Sequence, residues 1–401
     1  MGDASGRRRM SWRRHVLLPA ASVLVGLIAA EFLLRLTPFG RPKLDLTPFF
    51  QYDRTLGWKN RPFAKGTVYD WEYVTHLQYN SHGMRGPDLP YPKPPGTYRI
   101  IVLGDSFIDA FMVPYGRRVT ELLEKSLNQA GSQKHVQVVP MGVVGYSTDQ
   151  ELLWLESEGF SYSPDLVVLM FFDNDIYGNG LPYFYGPKPQ FLWDGQKLAL
   201  HNVPVPEGLA GHHPHEQARW NLAGRFPKFH RWAAQHSRLY RLLIVDLQDL
   251  TPLPPYSPIY KKPETPEVRS AWDVTGALLA RMQREVAGHG ARFMVFYIPR
   301  REDVYRQEWA ELETKLGLHP EDWDMRGVTD RFLSICREES LECIEPTAEF
   351  LEAARAAGQS GRRLYNKYDA HWNENGHRLA AEILAKKIRP DLQSQTSRAK
   401  P

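Results

Sequence analysis

Residues 100–111 read IIVLGDSFIDAF. A run of apolar residues stops at Gly104, and Asp105 and Ser106 follow at once. Such a junction is either ordinary turn chemistry or a serine held at the edge of a sheet. The surrounding pattern bears on the choice. Residues 98–103 form a short apolar run that reads as a strand. Residues 118–129 carry Val119, Leu122, Leu123 and Leu127 at helical spacing. A second strand is predicted over 135–139 and a second helix over 148–158, with Thr148 as its N-cap. Residues 166–172 are continuously apolar, as in a strand buried on both faces. The pattern pauses over about 176–262. It resumes at Thr265-Pro266, a capping residue followed by proline at the first helical position. That helix should run to about Ala287, where Gly288 and Gly290 stop it. Strands over 292–298 and 341–344 and a closing helix over 376–387 complete the series. Strands alternating with helices predict an α/β fold, a mostly parallel sheet with helices on both faces. The polar tail, 391–401, is expected to be disordered.

The chain has 401 residues, 42% of them hydrophobic and 12% aromatic, which fits a globular protein. Its net charge is +4. Residues 1–14 hold five arginines against Asp3, which accounts for the whole excess. No general basic field exists to attract nucleic acid. The basic segment, 1–15, precedes an apolar run over 16–36. Continued to Leu34, that run makes a helix of about 29 Å, one hydrocarbon core. By the positive-inside rule the arginines stay cytoplasmic. The long apolar core and the following Glu-Phe-Leu-Leu-Arg favour an uncleaved anchor over a cleaved signal peptide. The expectation is a single-pass inner (plasma) membrane protein with its bulk extracytoplasmic, in a periplasm. Residues 37–97 are rich in Pro, Gly and aromatics and read as a membrane-proximal stalk lying over the domain, because Trp58, Trp71 and Tyr73 favour burial.

In such a sheet, ligands bind beyond the carboxyl ends of the strands. GDS at 104–106, GVVGYST at 142–148 and FFDND at 171–175 follow the first three strands. YDAHWNENGH at 368–377 precedes the last helix. A serine hydroxyl needs an adjacent base, which His371 can supply. Asp369 could hold the other ring nitrogen. Attack on an ester leaves an oxyanion, for which the Ser106 and Gly145 amides and the Asn174 side chain are candidate donors.

These marks together resemble the SGNH (GDSL) hydrolases. The family's serine, oxyanion glycine, oxyanion asparagine and C-terminal Asp/His pair look like Ser106, Gly145, Asn174, Asp369 and His371. The resemblance covers residues 98–390, interrupted by an insertion over 176–262. It implies a flavodoxin-like three-layer α/β/α sandwich, and ester hydrolysis or acyl transfer without a metal or other cofactor. Two positions depart from the family pattern. Asp369 lies two residues before His371, where the usual spacing is three; relatives acting on acetyl groups of exported polysaccharides, similar to alginate O-acetyltransferases, share the shorter spacing. Asp173 stands where glycine usually precedes the asparagine, bringing a negative charge near the oxyanion site unless it points away.

Other features are open to two readings. His212, His213, His215 and Glu216 could bind a metal, although histidines split by proline on a loop are more often solvated. Asp173-Asn174-Asp175 lacks the glycine and distal glutamate of a calcium loop. Phe229, Trp232, Ala233, His236, Leu239, Tyr240 and Leu243 share a helical face that could lie on a membrane, but packing over the sheet is the stronger reading. Residues 187–200 read as a hairpin turning at Asp194-Gly195, and Tyr183, Phe184, Tyr185, Phe191 and Trp193 crowd it as a local core or a cap over a site. Cys336 and Cys343 could be bonded or free. The expected function is a serine hydrolase of acyl esters outside the cytoplasm, working through a Ser-His-Asp acyl-enzyme, with O-acetyl esters of an exported glycan as one candidate substrate. An O-acetyltransferase and a catalytically silent scaffold binding glycan or a membrane partner are the alternatives.

Overall fold

The computed structural model describes residues 5–37, 46–70, 72–129, 134–208, 232–233, 236–240, 242–243, 256–358, 362–367 and 369–397. The candidate metal ligands His212, His213, His215 and Glu216 lie outside them. The chain divides into two compact units.

The first unit comprises Met1–Asp45, Tyr69–Trp71 and Pro214–Pro252. Its main element is helix α1 (Ser5–Arg35). The stretch Leu17–Arg35 has mean hydropathy 2.2 and no buried side chains. Among the described residues it is the one helix long and apolar enough to cross a bilayer. Glu31, near its end, accepts hydrogen bonds from Ser237 Oγ (3.0 Å) and the Leu239 amide (2.9 Å). Arg238 donates to the Leu34 carbonyl at 2.8 Å and to the Thr37 carbonyl at 2.7 Å. The sequence assigned the 229–243 face to the sheet or to a membrane surface. Among its described residues the Leu239 amide, with the flanking Ser237 and Arg238, meets the C-terminal end of α1, where Arg238 caps the Leu34 carbonyl, and Trp232 and Leu243 are exposed.

The second unit comprises Leu46–Val68, Glu72–His213 and Leu253–Pro401. The stretch read as a stalk over the domain holds short strand pairs: β1 (Phe50–Asp53) runs antiparallel to β2 (Gly57–Asn60), and β3 (Lys65–Tyr69) pairs with β4 (Val74–Gln78). Trp58, 1% exposed, donates its indole N–H to the Val144 carbonyl at 3.0 Å. Then come β5 (Thr97–Gly104), β6 (His135–Gly142), β7 (Leu166–Phe171), the hairpin β8 (Gln190–Trp193) and β9 (Leu198–His201), β10 (Arg292–Tyr297) and β11 (Cys343–Ile344). Five of these form one sheet in the order β6-β5-β7-β10-β11, and every neighbouring pair is parallel. Numbered along the chain, that order is the flavodoxin-like one, with its switch point between β5 and β7.

The layers follow from alternation along the strands. Ile100, Val102, Val168, Met170, Met294 and Phe296 face a core shared with α3 (Val119–Gln129) and the Glu374–Ser397 helix, through Leu123, Leu127, Leu384 and Ile388. Helices α4 (Thr148–Ser157) and α5 (Asp173–Asn179) pack with the Pro266–Gly288 helix, closing a second layer. Thr265 caps that long helix, its hydroxyl accepting from Val268 N at 3.3 Å, and Pro266 stands at the first helical position, as the sequence signalled. At α4 the N-cap is Ser147, one residue before the predicted Thr148. The last helix continues through Pro390 to Ser397, where the sequence placed a tail.

Two covalent and ionic ties stand out. Cys336 and Cys343 are disulfide-bonded, joining the Met325–Glu338 helix to β11. Within the insertion, the hairpin turns at Asp194, whose carboxylate accepts the amides of Gln196 (2.8 Å) and Lys197 (2.7 Å). Just before it, Lys188 forms an ion pair with Asp149 of α4, both side chains fully buried. Lys188 also donates to the Gly178 carbonyl at 3.0 Å. A buried pair is net neutral at best against an apolar one, but removing one partner strands the other charge. Lys188→Met should therefore lower unfolding stability by about 3–5 kcal/mol, read from the denaturant midpoint, and Lys188→Met with Asp149→Leu should recover most of it.

Candidate active site

Strand β5 ends at Gly104 for a steric reason. A Cβ there would lie 2.5 Å from Ile108 Cγ1. Its register partner Gly142 is tighter still, with a Cβ placed 2.4 Å from the Asp109 amide nitrogen. The two glycines let a short helix, α2 (Ser106–Asp109), fold directly onto the strand ends. Asp105 caps it, Oδ1 accepting from the Phe107 amide at 2.9 Å. Ser106 is thereby the first residue of α2, at the carboxyl edge beside the switch point.

His371 reaches this serine from the segment before the last helix. Its Nε2 lies 2.7 Å from Ser106 Oγ. Its Nδ1 contacts Asp369 Oδ1, and the same oxygen accepts the His371 backbone amide at 3.1 Å. Phe107 and Phe111 pack on the imidazole, ring centroids 4.9 and 5.6 Å away. The structure thus brings Ser106, His371 and Asp369 into one chain of contacts, and the two-residue spacing closes by folding Asp369 back onto the histidine's own amide. Burial opposes the charge on Asp369. The paired His371 and the hydrogen bonds it receives outweigh this and hold its pKa at about 2. Burial likewise opposes a charged His371, yet the Asp369 carboxylate raises its pKa above the ordinary value.

Asn174 stands in the first turn of α5, after β7, on the other side of the switch point. Its Nδ2 donates to Asp105 Oδ2 at 2.9 Å, which uses one of the two amide hydrogens. Asp105 therefore holds both the serine helix and the asparagine, a role the motif did not reveal. Burial pushes its pKa up; hydrogen bonds from Phe107 and Asn174 and the nearby His371 oppose this. Gly145 follows β6 with φ +79°, and a Cβ there would lie 2.4 Å from Tyr185 Cβ, so the position requires glycine. Its loop is tied to the serine's strand, since the Val143 amide donates to the Gly104 carbonyl at 3.3 Å.

Asp173 turns away from this group. Its carboxylate accepts the hydroxyls of Tyr260 and Tyr297, each at 2.6 Å, and Arg300 Nε lies 3.3 Å away. Burial raises its pKa, with Arg300 and the two hydroxyls pulling it back. None of these three partners is marked by a motif. Arg300 could have been suspected, because it follows a strand at the carboxyl edge. Glu72 and Tyr73 were also missed as neighbours of Asp369. Tyr73 donates to Asp369 Oδ2 at 2.8 Å, and the Asp369 amide donates to Glu72 at 3.0 Å. They come from nearly 300 residues away, and no local signal marks them.

Among the described residues no group of three or more His, Cys, Asp or Glu side chains is arranged to hold a metal ion. Residues 262–401 match the family model described as SGNH hydrolase-like domain, acetyltransferase AlgX. No curated protein matches the chain. Among solved structures, similarity extends to the acetyl xylan esterase AlAXEase, at 12% identity over 72% of this chain and 99% of that one, with a TM-score of 0.40. A lipase/acylhydrolase from Enterococcus faecalis matches at 12% identity over 73% and 96%, TM-score 0.37. The acetylxylan esterase Axe2 from Geobacillus stearothermophilus matches at 12% over 73% and 94%, TM-score 0.38. The chain thus combines a flavodoxin-like parallel sheet, with Ser106 at the edge of its first strand, and a C-terminal stretch over residues 262–401 that fits an SGNH hydrolase-like family model.

Proposed function

We propose that this protein is a serine ester hydrolase of SGNH type, acting on acyl esters outside the cytoplasm. The observation that carries this reading is the contact chain from Ser106 Oγ through His371 to Asp369. Ser106 Oγ attacks the ester carbonyl carbon, and its proton passes to His371 Nε2. Asp369 keeps the proton on Nδ1 and stabilises the imidazolium. The tetrahedral oxyanion takes hydrogen bonds from the Ser106 amide, the Gly145 amide and the second Asn174 N–H, each worth about 3–4 kcal/mol of transition-state stabilisation. His371 returns its proton to the leaving alcohol, and water releases the acyl group by the reverse route.

The location rests on α1 and the arginines before it. A disulfide between Cys336 and Cys343 fits an oxidising compartment. We place the protein as a single-pass inner-membrane protein with the hydrolase domain on the periplasmic side. An O-acetyl ester on an exported glycan is the substrate class we favour. A second reading, O-acetyl transfer to a glycan, is favoured by the description of the matching family model. It uses the same acyl-enzyme but delivers the group to a sugar hydroxyl instead of water.

Three outcomes test these points. Full-length protein should release p-nitrophenol from p-nitrophenyl acetate, and Ser106→Ala should remain at background with an unchanged melting transition. Background rates in both would reject hydrolysis and favour transfer, to be followed by mass gain on an added oligosaccharide. The acid limb of kcat/KM should lie above pH 6.5, because His371 must be neutral to act as base and its pKa is raised. Asp369→Asn removes the cause of that rise, so the limb should move to lower pH while the plateau falls by about 10⁴-fold. A C-terminal alkaline phosphatase fusion should be active; an inactive fusion would place the domain on the cytoplasmic side.

A further inference from the structure

The reacting groups sit on dissimilar supports. Ser106 is on a helix seated on the sheet, and Asn174 is on α5. Asp369 and His371 precede the last helix in an irregular segment with a single bridge, Tyr365 to Trp372. A carboxylate on such a segment has many orientations, and its position must be fixed from elsewhere.

The fixing groups are Glu72 and Tyr73, just before β4. The Glu72 carboxylate accepts two backbone amides of the segment, those of Lys367 (2.5 Å) and Asp369 (3.0 Å). Tyr73 donates its hydroxyl to Asp369 Oδ2 at 2.8 Å. Asp369 then has each oxygen assigned, Oδ1 to His371 and Oδ2 to Tyr73. The Tyr73 ring lies 6.3 Å from Phe111, whose ring lies 5.6 Å from the imidazole. From the other side, Arg301 holds the Lys367 carbonyl at 2.9 Å. The titratable and charged groups around the Asp369–His371 pair are thus Tyr73, Asp105 and His377, with Glu72 and Arg301 on the backbone of the segment.

We infer that Tyr73 and Glu72 form a strap that positions Asp369 for catalysis, with Tyr73 as a fourth member of the Ser106–His371–Asp369 chain. The strap is a positioning device and does not touch substrate. It rests on the reading of Ser106 and His371 as nucleophile and base. The Tyr73 hydroxyl shares the Asp369 charge, which weakens the hold of that charge on the imidazolium and restricts the carboxylate to one rotamer.

Labelling by a fluorophosphonate tests this without assuming an acceptor or a natural ester. The rate of covalent labelling at Ser106 is measured against pH for full-length wild type, Ser106→Ala, Tyr73→Phe and Glu72→Gln. Wild type should label and Ser106→Ala should not. Tyr73→Phe should label about tenfold or more slowly at the plateau. Its acid limb should move to higher pH, since the carboxylate then acts on His371 undivided. Glu72→Gln should slow labelling while leaving the limb within about 0.2 pH unit, because it loses loop anchorage but no partner of the carboxylate. A purely structural role would lower stability without moving the limb in Tyr73→Phe. Labelling in wild type with an unchanged rate and limb in Tyr73→Phe overturns the strap alone. Failure of wild type to label at Ser106 overturns the reading of the site and the strap with it. If Tyr73→Phe unfolds, Glu72→Gln decides: slower plateau labelling with an unchanged melting transition supports the strap, and labelling equal to wild type, or slowed only in step with a lowered melting transition, overturns it.

Discussion

Gly104 and Gly142 face each other across β5 and β6, and the space left by their missing side chains governs the site. The backbone of α2 comes close enough to the end of β6 that even a methyl group at Gly142 would strike the Asp109 amide. Only this approach puts Ser106 at the first position of a helix whose cap, Asp105, can also reach Asn174 across the switch point. Three consecutive residues, Gly-Asp-Ser, thereby do three separate things. The glycine admits the turn, the aspartate binds two elements together, and the serine faces the histidine.

Burial of charge is the second constraint. The layer formed by α4 and α5 contains Asp149, Glu151, Asp173 and Asp175, all buried. Each is a cost unless answered. Asp149 is answered by Lys188, and Asp173 by Arg300 with two tyrosine hydroxyls. Asp175 takes the Phe172 amide at 3.1 Å. Burial and neighbouring carboxylates push the pKa values of Glu151 and Asp175 well up. That favours their neutral forms near Asp105, the residue that holds Asn174.

The sheet was legible because its strands are continuous apolar runs. The predicted run 166–172 became Leu166–Phe171, and 292–298 became Arg292–Tyr297. Such strands need no knowledge of their partners. The long helix was legible from Thr265-Pro266 at its start and two glycines at its end. The stretch before β5 was less so: its aromatics announced burial, but its short hairpins are held by partners far along the chain, as Trp58 is by Val144. The direction of Asp173 was equally hidden, since its tyrosines and arginine lie about 90 to 130 residues onward. Sequence periodicity reports which face is apolar; it carries no information about which polar groups meet across the fold.

The ends of the central sheet have a consequence for behaviour in solution at high concentration. One flank is β11, only two residues long and stapled to a helix by the disulfide. The other is β6, which carries Pro140 opposite Val102 and so lacks a backbone donor in mid-strand. Neither border offers a long, regular row of free amides and carbonyls on which another chain could add a strand. A sheet with such apolar strands is guarded against growth from copy to copy by the shortness of one border and the interruption of the other.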